Sequence, residues 1–226
     1  MSPTATGPGL PQFFADGGPG LVVTDVDSTL IEQEVIEELA AEAGAREAVA
    51  RITARAMNGE LDFAHSLRER VATLAGVPQG VFAEVLAEVR PTQGAAELIE
   101  ALHARGCRVG VVSGGFEEVV VPLAERLGID HVAANRLEVV EGRLTGRVMG
   151  RIVDRQEKVR CLIAWAQQDG VPMERTIAVG DGANDLGMLE AAGLGVAFCA
   201  KPVVVEQADA AIHVRDLRAV LQLIGG

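Results

Sequence analysis

The run Gly20-Leu21-Val22-Val23-Thr24 is apolar and β-branched, and it ends in Asp25-Val26-Asp27-Ser28-Thr29. A strand of that composition belongs in the middle of a parallel sheet, where both faces are covered. Ionised carboxylates cannot share such an interior without partners, because desolvating a charge costs several kcal/mol or more. Asp25 and Asp27 are therefore expected at the carboxyl end of the strand, in the crevice where open α/β sheets bind ligands. One Asp there reads as an ordinary acidic turn. Two of them, followed by Thr29, favour chemistry.

The rest of the chain divides into two patterns. Residues 32–90 read as helical almost throughout, with candidates near 33–43, 46–57, 61–75 and 79–89 and a break at Val77-Pro78. From Thr92 helices and strands alternate. Helix 92–105 has Thr92 as its expected cap and Gly106 as its stop. Strand 107–112, a helix near 117–127 and a short strand near 131–134 follow. Glu141-Gly142, between two alternating runs, predicts a β-hairpin. Helix 156–168, strand 175–180, helix 184–192, strands 194–198 and 210–214 and helix 216–223 complete the series. Alternation of this kind predicts an α/β fold with a doubly wound, mostly parallel sheet. The all-helical stretch is then an insertion over the crevice. The expected organisation is a flexible leader at 1–18, a core of 19–31 and 91–226, and a helical cap at 32–90.

Composition narrows the functional classes. At 226 residues the chain can bury roughly 70–75% of its unfolded surface in one domain plus an insertion. The leader lacks the basic start and apolar stretch of a secretory signal, and no run approaches the ~20 apolar residues that span a bilayer. Cys107, Cys161 and Cys199 are odd in number and far apart, so buried, reduced thiols in a cytoplasmic protein are expected. A formal charge of −12 argues against nucleic acid and membrane surfaces as partners. An anionic ligand would need local cations or a metal to reverse that field. Eighteen of the basic residues are Arg; only Lys158 and Lys201 are Lys.

Four polar clusters fall at strand ends or helix starts. Asp25 and Asp27 form the first. Ser113-Gly114-Gly115-Phe116 is the second; small residues there let backbone N–H groups approach an anion at a helix start, although common turns use the same residues. Lys158 is the third, a cation in the first turn of a helix where the macrodipole disfavours it unless it reaches an anion. Gly180-Asp181-Gly182-Ala183-Asn184-Asp185 is the fourth. Together they supply a carboxylate nucleophile, further carboxylates, a hydroxyl with a backbone nest and a lysine, which suits phosphoryl transfer through an aspartyl-phosphate. Facing carboxylates would repel by about 4 kcal/mol per pair at ~4 Å and an effective dielectric of ~20. Mg²⁺, which prefers oxygen ligands, removes that conflict. His65, His103, His131 and His213 show no ligand spacing. Arg70 falls in the apolar stripe of Phe63, Leu67, Val71 and Leu74, where a guanidinium needs a partner such as a carboxylate; an Arg snorkelling from the stripe's edge is the alternative.

Asp-x-Asp-Ser-Thr, Ser-Gly-Gly-Phe, Lys158 and Gly-Asp-Gly-Ala-Asn-Asp, in that order, resemble the motifs of the haloacid-dehalogenase-like phosphatases. From residue 20 onward the chain is similar to the branch acting on O-phospho-L-serine, through Leu30–Ile36, Met57–Phe63, Ser66–Val71 and Ala134–Glu138. The resemblance implies a Rossmann-like core with a helical cap and a hairpin flap, and a role for each site residue. Asp25 would be the nucleophile and Asp27 the acid and base. Mg²⁺ would sit on Asp25, the Asp27 backbone carbonyl and Asp181. Ser113, Gly114, Lys158 and Asn184 would bind the phosphoryl group, with Asp185 in support. Glu34 and Arg70 would read the amino and carboxylate groups, and Met57 and Phe63 would close the pocket. Only the resemblance selects Glu34, which periodicity does not separate from Glu32.

The implied activity is hydrolysis of O-phospho-L-serine to serine and phosphate, the last step of serine biosynthesis, by a monomer or homodimer. Val26 stands where the family usually has Phe, and the leader is too short for the regulatory domains of some relatives. Lys201-Pro202 fits a family loop without an assigned role. Two alternatives remain open: another small phosphomonoester or transfer of the phosphoryl group to an alcohol such as homoserine, and a phospho-accepting signalling domain. Asp27 argues against the last, since it supplies the acid/base that turnover needs.

Overall fold

A computed structural model describes residues 18–225; the leader expected at residues 1–18 therefore lies almost wholly outside the described residues. β1 (Leu21–Thr24) is the middle of a seven-stranded sheet of order β4-β3-β2-β1-β5-β6-β7. The others are β2 (Arg108–Phe116), β3 (His131–Val140), β4 (Arg143–Met149), β5 (Thr176–Gly180), β6 (Leu194–Phe198) and β7 (Ala210–Ile212). Every pairing is parallel except β3 with β4.

Strand alternation covers both sheet faces. Val22 faces a cluster containing Leu98 and Ile99 of α5 (Ala95–His103) and Val119 and Leu123 of α6 (Glu117–Leu127). Leu21 and Val23 face Leu162 and Ala166 of α7 (Arg155–Gln168) and Leu189 of α8 (Leu186–Ala191). Buried apolar area of this kind is the main drive for the fold. Short α9 (Pro202–Val205) and α10 (Ala219–Leu223) follow β6 and β7.

Between β1 and α5 lie α1 (Val35–Glu42), α2 (Arg46–Met57), α3 (Phe63–Ala72) and α4 (Val81–Glu88). The chain leaves and re-enters the core side by side: Glu32 N–H donates to the Arg90 carbonyl, and Thr92 N–H to that of Leu30.

Three local expectations change. Thr92 does not cap α5. That helix starts at Ala95 behind Gly94, whose φ of 79° suits glycine, and the Thr92 hydroxyl donates instead to the Thr29 carbonyl at 2.7 Å. β2 continues past residue 112 through Ser113-Gly114-Gly115, and β3 is one long strand that bends from the sheet into the hairpin. Glu141 and Gly142, both at positive φ, make the expected two-residue turn. The three cysteines are free, but Cys161 and Cys199 are only half-buried, and Cys199 lies just beyond β6.

Candidate active site

Register brings the sequence clusters together. Thr24 pairs with Val111 on one side and Val179 on the other. Asp25 is therefore level with Val112 and Gly180, and Ser113 and Asp181 lie one residue further along their strands. Lys158 arrives from the first turn of α7, on the same face as buried Leu162 and Ala166. Its side chain is 0% exposed, and Nζ donates to Asp25 Oδ1 and Asp185 Oδ1, each at 2.6 Å. Burial opposes the ammonium charge, but Asp185 and Asp25 outweigh it and raise the Lys158 pKa overall. Asp185 is itself held from behind, its Oδ2 accepting the Asp181 and Gly182 amides at 3.1 and 3.0 Å.

The carboxylates outnumber that one cation. Oxygens of Asp25, Asp181 and Asp185 lie within 4.8 Å of one another, and all three residues are buried. Burial, reinforced by Asp185, lifts the Asp25 pKa to about 7, and burial with Asp185 and Asp25 drives Asp181 well above its ordinary value. Crowded, desolvated oxygen donors with excess negative charge fit a hard divalent cation, so this triad can hold a metal. Of the set the resemblance implies, Asp25 and Asp181 stand in this triad. Asp185 stands beside them with its oxygens engaged by Lys158 and two amides, and the Asp27 carboxylate accepts Val35 N–H at 3.1 Å. The Asp27 pKa is also raised well above its ordinary value, by burial and then by the Glu34 and Asp25 charges.

Backbone approach is dense around Ser113. The Gly115 amide donates to Ser113 Oγ at 2.8 Å. A Cβ on Gly115 would lie 2.7 Å from Asp27 Oδ2, and one on Gly114 would lie 2.6 Å from the Phe63 ring. Only glycine allows both approaches. Asn135, whose role sequence reasoning missed, ties this loop down: Nδ2 donates to the Gly114 carbonyl and Oδ1 accepts Val153 N–H, both at 2.8 Å.

The helical segment supplies the facing wall of a crevice. Asp25, Asp27, Gly114 and Asn184 line it from the core; Glu34, Met57, Phe63 and Arg70 line it from the segment. Ser113, Lys158, Asp181 and Asp185 stand behind the first group. The Ala183 amide donates to the Met57 carbonyl at 2.9 Å, joining the two walls next to Asn184, whose buried Oδ1 has no protein partner. Glu34 Oε1 accepts the Ser28 hydroxyl at 2.7 Å, and Ser28 holds a left-handed φ of 58°.

Arg70 is 3% exposed. Its Nε donates to the Ser66 carbonyl (3.2 Å) and Nη1 to the Thr53 hydroxyl (3.0 Å), while Nη2 is buried without a partner. No carboxylate among the described residues pairs with it, so none of them supplies the partner that its place in an apolar stripe demands. Burial lowers its pKa, against the pull of Glu34, Asp27 and Glu37. Thr53 is the second residue that sequence reasoning missed. It sits at i+4 between Val49 and Met57 on the buried stripe of α2, and a polar residue at that spacing was the available signal.

Lys201 touches the site through its backbone, its amide donating to the Asp181 carbonyl at 2.9 Å. No helix among the described residues is long and apolar enough to cross a membrane.

Residues 22–190 match a family model for haloacid dehalogenase-like hydrolases. A phosphoserine phosphatase of Streptococcus thermophilus is 53% identical over 205 residues, covering 91% of this chain and 95% of the relative. One of Streptomyces coelicolor is 59% identical over 91% of this chain, which spans only 50% of that relative's length. The solved structure of a phospho-aspartyl intermediate analogue of phosphoserine phosphatase superposes with a TM-score of 0.89 at 46% identity, over 92% of this chain and 99% of that one.

Proposed function

The chain belongs to the haloacid dehalogenase-like hydrolase family, and from that premise we propose that it hydrolyses O-phospho-L-serine to L-serine and phosphate. One observation carries the substrate: a single crevice is lined by Asp25, Glu34 and Arg70, whose buried Nη2 has no partner. A phosphate at one end and an ammonium with a carboxylate at the other match those groups in kind.

A carboxylate oxygen of Asp25 attacks phosphorus, and the P–O bond to the serine oxygen breaks. Asp27, whose raised pKa suits it to carry a proton, gives that proton to the leaving oxygen. Water then attacks the phosphoaspartate, Asp27 takes its proton, and Asp25 is regenerated as orthophosphate forms. Ser113, the Gly114 amide, Lys158 and Asn184 hold the phosphoryl oxygens, with Lys158 fixed by Asp185. Magnesium, held by Asp25, Asp181 and the Asp27 carbonyl, would offset the charge gathered on those oxygens. Glu34 receives the ammonium and Arg70 the carboxylate, under Met57 and Phe63.

Residues 32–90 act as a cap whose closure excludes water from this chemistry. A cytoplasmic location, in keeping with three free thiols, belongs to the same reading. Phosphate release across a panel of phosphomonoesters, with Mg²⁺ and with chelator, and with homoserine as competing acceptor, tests it. O-phospho-L-serine should be preferred, with release lost in chelator and restored by Mg²⁺. A panel without preference for phosphoserine would refute the substrate.

A further inference from the structure

Arg70 is gripped on three sides and unpartnered on the fourth. Ser66, one turn earlier in α3, takes Nε through its carbonyl; the Phe63 ring lies 5.9 Å from the guanidinium carbon; the Thr53 hydroxyl takes Nη1. Nη2 is left. Ser66 and Phe63 belong to the same helix as Arg70, and Thr53 alone comes from α2. A guanidinium is a rigid planar fork. A bond to Nε from its own helix still permits the plane to tilt, and a second bond to Nη1 from a neighbouring helix fixes where Nη2 points.

Thr53 has no packing reason to be polar. It is 3% exposed, among Val49, Ala56 and Met57 on the buried face of α2, where Val would fill the same volume. A buried hydroxyl without a partner would be a net cost. Here its side-chain partner is Arg70.

We propose that Thr53 is a specificity-determining positioning residue: its hydroxyl occupies Nη1 of Arg70, so that Nη2 is the donor aimed at the carboxylate of the substrate. The inference rests on the reading of Arg70 as the carboxylate's receptor. Thr53 touches no reacting atom and works through Arg70.

Thr53→Val removes the hydroxyl at constant shape. For O-phospho-L-serine the KM should rise about tenfold, as for loss of one hydrogen bond to a charged group, with kcat within about twofold. The kcat/KM for O-phosphoethanolamine, which keeps the ammonium and lacks the carboxylate, should stay within about twofold. Thr53→Ser should restore the wild-type KM. Should Thr53→Val not fold by circular dichroism, Thr53→Ala carries the same comparison. Equal losses on both substrates would overturn the proposal, making Thr53 structural. Arg70→Ala run alongside separates the two readings: if it erases selectivity while Thr53→Val leaves KM unchanged, Thr53 is wrong and Arg70 stands. If Arg70→Ala leaves selectivity intact, the Arg70 reading falls and this one with it.

Discussion

Lys158 and Arg70 are both buried cations at one crevice, Lys158 behind its core wall and Arg70 in its helical wall, and the molecule treats them in opposite ways. At the strand ends Lys158 is ion-paired, bonded to Asp25 and Asp185 within a cluster that carries more negative charge than it can neutralise. In the helical wall Arg70 is held by neutral oxygens and keeps one nitrogen unpaired. Neither is an arrangement that stability alone would favour, because buried charges are costly unless fully paired. The lesson is a division of labour. On the proposed function, the core would be assembled in advance for chemistry, with its charges already engaged, whereas the helical segment would present an unfilled valence for recognition. Losses in the core should therefore fall on turnover and on stability, and losses in the cap on selectivity.

Asp25→Asn should break the comparison most deeply. Turnover should fall by about 10⁴-fold or more, as when a nucleophile is removed elsewhere. The fold should persist, because Lys158 keeps its bond to Asp185. Phosphate release together with circular dichroism checks both halves, and near-normal release would remove Asp25 as the nucleophile. Lys158→Met comes next. It strips the cation from two buried carboxylates, so stability in urea should drop by about 3 kcal/mol, and turnover should fall by roughly 10²- to 10³-fold. A variant as stable as the wild type would mean that the cluster is not a closed circuit.

How far this division can be seen in the sequence depends on the range of each interaction. The sheet was legible because its signals are local: β-branched runs, helical stripes and Glu141-Gly142 each specify their own conformation. Asp25, Lys158 and Asp181 were legible for a related reason, since charges at the edges of apolar elements need partners. Thr92 misled because its hydroxyl finds the Thr29 carbonyl, 63 residues away, which cap chemistry does not anticipate. β2 ran longer than expected because Ser113-Gly114-Gly115 has poor strand propensity, and neighbours impose the extension. Arg215 reaching the Ser28 carbonyl at 3.1 Å is a product of tertiary placement, with no local trace, and Asp185, legible within its acidic cluster, is placed beside Asp25 only by the fold. Arg70 is the intermediate case: the stripe revealed that it is buried, and only the structure reveals that it is unpaired.

In the cap the expected effects are smaller and of a different kind. Arg70→Ala should reduce kcat/KM for O-phospho-L-serine by roughly 10²-fold, the order of losing a charged partner in a closed site. A simple alkyl phosphate should be hydrolysed as before. Unchanged selectivity would make Arg70 a packing residue and would dissolve the contrast with Lys158.

Glu34→Gln sharpens the same contrast at its lower end. Glu34 shares the wall with Arg70, but one of its oxygens is already engaged by Ser28, so the group is half committed before substrate arrives. Burial raises its pKa, while the Ser28 hydroxyl, Arg70 and Lys201 pull it back down; these partners favour the ionised form that an ammonium needs. The amide keeps the shape and an acceptor for Ser28 and loses only the charge. The expected result is about a tenfold rise in KM for O-phospho-L-serine, little change in kcat, and no change for a phosphomonoester without an amino group. Steady-state kinetics on the two substrates decides it. A fall in kcat on both would instead tie Glu34 to Asp27, whose pKa its charge helps to raise, and would move Glu34 from the recognition wall to the chemical one.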